Sequence, residues 1–360
     1  MTADLQPPLA RRYLGEMRPQ PMRFAQWRPF FCGLILLIVT VPLICYAADP
    51  AAELASFSVF DKVDPAELAK SGPKTVHGPP MGGRYLSVQS VYTMPGEPAR
   101  QLETMKNWDP TRYRELKVYL HGDLPSSPGP ANFSKLKNAP NNAAVNAFAT
   151  ATQKLSSDLQ ISKEEAKKSS GGGGGGAMPD AVVNFWSDVL ANRAKLFVSG
   201  GTATQPPYDH SANVRPNDEL KSLLKQQGKI QKQFGEFLGG AGIGKGAGSM
   251  PADNYWELME VDDRGVVTLG ASYSRTSGGG AQTADVLYYA SGGIYVALTL
   301  HQMWPITIDG KPGTLIWRGD MISSASLESL HGVERLASEG QMVKDISRSV
   351  ALFRRQAGGR

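Results

Sequence analysis

Beyond Ala47 the chain contains no cysteine; its two, Cys32 and Cys45, share one apolar run near the N-terminus. This absence excludes a disulfide framework, a thiol nucleophile and a cysteine-ligated metal from the remaining sequence. It also suits an oxidising compartment. Histidine is scarce too. His77, His121, His210, His301 and His331 never fall into H-E-x-x-H or another spacing that sets two ligands on one helix face. No metal and no cofactor is expected, and each histidine reads as a lone surface or loop side chain. A G-x-S-x-G nucleophile elbow is missing as well, so no serine nominates itself as a nucleophile.

A clustered charge of one sign is also missing. Of 38 basic and 33 acidic residues, the first 47 positions hold five arginines (Arg11, Arg12, Arg18, Arg23 and Arg28) against Asp4 and Glu16, which leaves 33 against 31. So dispersed a balance excludes the basic footprint that nucleic acid requires. Nucleotide is excluded by a near miss. Gly239–Lys245 fits the first seven positions of a G-x-x-x-x-G-K-[ST] loop, but Gly246 stands where the magnesium-binding hydroxyl belongs. A helix precedes that stretch and no helix follows it, so its glycines read as a helix terminator and linker.

What is present begins with a leader. Arg23 and Arg28 precede an apolar run from Phe30 to Ile44, and Cys45-Tyr46-Ala47 offers small residues at the two positions a signal peptidase reads. Cleavage is expected between Ala47 and Ala48, with translation starting at Met22 or Met17. The alternative is an uncleaved anchor over Phe30 to Ala48, a stretch of 19 residues and just long enough to span a bilayer. Either way the membrane is a partner during export, and the bulk of the chain is expected outside the cytoplasm, periplasmic or secreted.

Residues 48–170 read as a small α/β region. A short helix is capped by Asp64 with Pro65 in its first turn; strands follow over 84–93 and 115–124 around a helix from Glu97 to Asn107. A helix spans Ala143 to Leu155, and Ser162 with Glu165 forms a capping box. Six glycines, Gly171 to Gly176, open a linker ending at 179. The helical segment 180–250 holds the strongest helix of the chain (180–201), on the stripe Val183, Trp186, Leu190, Ala194 and Phe197, and a second from Asn217 to Leu238. From 251 the period switches to two and glycine-rich turns separate about five strands, an antiparallel meander. A helix over Ser326–Arg355 follows, with an expected break at Gly340 and an apolar stripe of Val343, Ile346, Val350 and Phe353. The fold class is therefore α+β. In element order alone it is similar to helix-grip ligand-binding folds.

No spacing marks a catalytic centre. The candidates come from one strand: on 294–304, His301 shares a face with Tyr295, Ala297 and Thr299, opposite Val296, Leu298 and Leu300. If the C-terminal helix covers the aliphatic side, the His301 side is solvated or lines a pocket. Tyr295, His301 and Arg318 are then candidate ligand contacts, and His301 with Asp320 or Glu257 a candidate catalytic set. Arg318-Gly319-Asp320 also spells an integrin-recognition tripeptide, read here as coincidence. Tyr255, Trp256, Tyr273, Tyr288, Tyr289, Tyr295 and Trp304 read as core packing ahead of a ligand platform. The leading expectation is an exported, bacterial-type, non-enzymatic envelope protein that binds a small molecule or protein through the sheet face. An extracytoplasmic hydrolase using His301 and a membrane-tethered structural or assembly protein are the alternatives.

Overall fold

Five long strands, β4 to β8 in chain order, form the centre of the fold as a hairpin-connected meander. In the computed structural model, which describes residues 49–169 and 177–358, they span Asp253–Val261, Arg264–Ser277, Gly280–Ala290, Ile294–Ile308 and Lys311–Ser324. The sheet is larger than the expected five strands. β1 (Lys74–His77) and β2 (Tyr85–Pro95) add to the β8 edge and β3 (Val118–Leu124) to the β4 edge, giving eight antiparallel strands in the order β1-β2-β8-β7-β6-β5-β4-β3. The strands at 84–93 and 115–124 thus never pair with each other as an α/β unit. Backbone hydrogen bonding drives this: each edge of the meander presents unpaired N–H and C=O groups, and β2 satisfies one edge along eleven register pairs with β8.

Helices α1 (Pro50–Phe57), α2 (Pro65–Ser71) and α3 (Pro98–Lys106) precede β3; α4 (Ala143–Gln153) and α5 (Lys163–Ala166) follow it. The Asp64 side chain accepts from the Ala66 and Glu67 amides, and Ser162 and Glu165 close the expected capping box. Next come α6 (Asp180–Gly200), α7 (Pro216–Lys225) and α8 (Gly228–Ala241). The single helix expected over 217–238 is two, because the chain turns at Gln227, whose side chain is buried and reaches Ser87 Oγ at 3.4 Å. Gly242 ends α8 in the left-handed region at φ 71°, where a Cβ would collide with the backbone of Gly246 and Gly248. The glycine-rich stretch therefore closes a tight turn against its own helix.

Period-two burial sorts the sheet into two faces. On the apolar face, Val91, Leu315, Trp317, Leu298, Leu300, Val286 and Trp256 are buried beneath α1 and α6–α8. The Phe57 ring meets Trp317 edge-on at 4.9 Å, and Phe197 of α6 stacks on Tyr288 at 3.8 Å. Each such buried aliphatic or phenyl group contributes on the order of 1.5–3 kcal/mol.

The chain closes with α9 (Ala325–Glu328) and α10 (Gly332–Gln356). No break occurs at Gly340: the glycine costs about 1 kcal/mol in a helix, and anchors at both ends outweigh it. Arg335 donates to the carbonyls of Gly83, Met81 and Tyr85, while Val350 and Phe353 are buried. α10 does not cover the aliphatic side. It packs with Tyr92, Met94, Ala281, Met303 and Ile316, which the register puts on the His301 face. α6–α8, whose apolar stripes are broader, take the aliphatic face. Among the described residues no helix is long and apolar enough to cross a membrane. The apolar leader, its Ala47/Ala48 junction and Gly171 to Gly176 lie outside the described residues.

Candidate functional site

Past the margin covered by α3 and α10, the second sheet face is polar, and register aligns its side chains in rows. Asp320, Thr299, Asp285 and Ser272 are lateral neighbours on β8, β7, β6 and β5. The adjacent row is Arg318, His301, Thr283 and Ser274. Strands about 4.8 Å apart bring such neighbours within side-chain reach.

Three of the expected residues do converge. Arg318 grips Asp320 through two hydrogen bonds of 2.7 Å, and Thr299 donates to the same carboxylate at 2.9 Å. Burial opposes the charge on Arg318, but Asp320 more than offsets it and holds the guanidinium protonated. His301 stands opposite Arg318 in the register and its Nδ1 meets Thr283 Oγ1 at 2.9 Å. Burial, and then the neighbouring Arg318 charge, push the imidazole down to about 3, so it is neutral near pH 7. The Arg318-Gly319-Asp320 tripeptide lies within β8 with its charges turned on each other, which suits no presenting loop.

Tyr295 and Glu257 go elsewhere. A register shift between Ile294 and Val296 turns Tyr295 into the core, where its ring stacks on Tyr208 at 5.9 Å and its carbonyl accepts from the Tyr208 hydroxyl. Simple alternation put it beside His301, and the bulge breaks that alternation. Glu257 shares the polar face but sits on β4, three strands from β7, and bonds His121 Nδ1 at 3.0 Å. That bond raises the His121 pKa, with burial opposing it. No hydrogen bond or ion pair joins His301 to Asp320 or Glu257 among the described residues.

Reading the sequence missed the centre of this face. Asp285 accepts from the Tyr255 hydroxyl at 2.7 Å and from the Ser272 hydroxyl. The Tyr255 ring reaches it by lying across β5 at Gly270, where a Cβ would come within 2.6 Å of Cε1 and nearer still to Cζ and Oη. Glycine is needed there for space. Burial raises the Asp285 pKa, the Glu257 charge adds to the rise, and the two hydroxyls and Arg318 oppose it. The Tyr255 hydroxyl is raised well above its usual range, first by burial and then by Asp285 and Glu257. Its ring also stacks beside His121 at 5.7 Å. Of the seven meander aromatics, Tyr255 alone stays partly exposed; the other six are core. The available signal was alternation, since Tyr255 and Glu257 share one parity on β4. The register that brings Asp285 to them was not readable.

Among the described residues no group of three histidines or carboxylates is arranged to hold a metal ion. Partly exposed side chains, Asp285, Thr299, His301 and Arg318 among them, line the shelf. Its chemistry is that of hydrogen bonding and charge recognition. An imidazole held near 3 is a poor proton acceptor for a neighbouring hydroxyl. No protein-family model, curated protein or solved structure matches this chain.

Proposed function

We propose that this is an exported, non-enzymatic envelope protein that binds a ligand or partner through the polar face of its sheet. The observation that carries the reading is the constellation of half-buried Asp285, Arg318 and His301 with the buried Asp320 on a face whose opposite side is packed by helices. Titratable groups shifted by burial and by a specific charge partner, outside the core, are candidates for a functional surface. The neutral, weakly basic His301 favours binding over hydrolysis. Export rests on the leader: basic residues, an apolar run and small residues at Cys45 and Ala47, followed by a cysteine-free body. One further observation agrees with cleavage after Ala47. Among the described residues, the first helix starts just past that junction: Asp49 caps it by accepting from the Ala51 amide.

Carboxylate labelling tests the binding reading without knowledge of the ligand. Carbodiimide coupling at Asp285 and Glu257 is expected to be weaker in native envelopes than in purified protein, because the occupant shields them. Equal labelling in both would sink the reading. N-terminal sequencing of the envelope-derived protein is expected to begin at Ala48.

A further inference from the structure

We propose that the Asp285 corner of the polar face binds a cationic group, an ammonium or a guanidinium. The proposal rests on the reading of this face as a binding surface and names what it takes.

The argument is one of unmatched charge. Among the described residues Asp285 accepts from two neutral hydroxyls, those of Tyr255 and Ser272, and from no cation. The fixed cation that acts on it, Arg318, is hydrogen-bonded to Asp320 and stabilises the Asp285 charge without bonding to it. His301, in the next row, adds no charge near neutrality. On the far side of Tyr255 stands a second carboxylate, Glu257, whose partner among the described residues is His121, a cation only when protonated. The corner therefore holds two carboxylates, and Asp285 has no ion pair of its own among the described residues, which a partly desolvated carboxylate ordinarily has. A bound cation supplies one.

Three further features fit that ligand. The Tyr255 ring lies between the two carboxylates with His121 stacked beside it, and aromatic faces attract cations. The Thr268 hydroxyl, fully buried on the same face opposite Glu257, has no hydrogen-bond partner among the described residues. The acceptors are two separate carboxylates and hydroxyls, which suit the directed N–H bonds of an ammonium or guanidinium. A metal ion would require several more oxygen ligands. Anions are disfavoured by the sign of the charge.

The test uses the full chain, ¹³C-labelled at Asp, Tyr and His, titrated with n-butylammonium, methylguanidinium and short peptides bearing one Lys or Arg. Sodium chloride of equal ionic strength is the control. The expected result is saturable shifts of the Asp285 carboxyl and the Tyr255 and His121 rings. Asp285→Asn should weaken binding by about tenfold or more, the scale of a lost charge-assisted contact, while Glu236→Gln, at an exposed carboxylate, should leave it unchanged. Tighter binding of the peptides than of the free amines assigns the cation to a polypeptide side chain; the reverse assigns it to a small molecule. Asp285→Asn removes a desolvated charge and should fold; Ser272→Ala, with the carboxylate retained, serves as a second, milder variant expected to weaken binding less. Shifts with acetate, phosphate or neutral polyols but not with cations would overturn the cationic class while leaving the sheet-face reading intact. Cation binding that Asp285→Asn does not alter, or no shift of these signals with any cation, would overturn the proposal. The labelling contrast in envelopes judges the broader reading separately.

Discussion

Glu165 and Arg193 form a bidentate pair, at 2.8 and 2.6 Å, with both side chains closed off from water. The pair joins the chain before the six glycines to the helix after them. The Arg193 guanidinium also lies 4.2 Å from the Tyr289 ring centre and donates to the Pro206 carbonyl at 3.1 Å. Removing one partner leaves a buried charge without its counter-charge, so Arg193→Ala is expected to cost roughly 3–5 kcal/mol. Replacing both with methionine should cost less than either single truncation. Urea unfolding of the three variants checks the ordering, and an additive double variant would contradict it.

Gly270→Ala should displace the Tyr255 ring, because the new methyl group occupies the space of Cζ and Oη. A destabilisation of about 1–3 kcal/mol is expected from the overpacking, together with loss of the Tyr255–Asp285 hydrogen bond. Adding Tyr255→Ala should relieve most of the clash, so the two changes are expected to couple strongly in a double-mutant cycle. Independent effects would show that the ring does not rest on β5.

His301 should make the protein acid-sensitive. Its pKa falls from an ordinary 6.5 to about 3 on folding. A base with a depressed folded pKa contributes its full stability above 6.5 and loses it as pH drops towards 3, because the unfolded chain binds a proton that the folded chain refuses. Asp285 acts in the opposite sense, since its raised pKa makes folding easier as pH falls. His301→Gln is therefore expected to flatten the loss of melting temperature between pH 6.5 and pH 4. Parallel melting curves for wild type and variant across that range would refute the assignment.

Much of the fold was legible wherever a residue reports on its immediate neighbours. Asp64 and Ser162 announced helix starts because a short polar side chain can satisfy an amide a turn away. The Trp186 stripe announced a buried helix, and alternation from Tyr255 onwards announced the meander. Where a residue answers to distant chain, the reading failed. The strands at 84–93 and 115–124 looked like neighbours, yet each had to find an edge of a sheet encoded more than a hundred residues later. Which sheet face the C-terminal helix covers was not legible, because its apolar stripe fits either face and α6–α8 compete for the aliphatic one.

The site divides along the same line. Alternation put His301, Arg318 and Asp320 on the surface they occupy, but it carried Tyr295 there too, past a bulge that no local signal marks. Asp285 went unnoticed because a single aspartate acquires meaning only from the register that sets Ser272 beside it and from the glycine that lets Tyr255 lie across to it. Sequence by itself determined the element types, the cysteine-free body and the two-sided character of the strands, since these follow from side-chain size, polarity and spacing along the chain. Tertiary structure alone decided which charges meet, because strand register and helix docking are settled by contacts between segments whose separation in sequence carries no information about their separation in space.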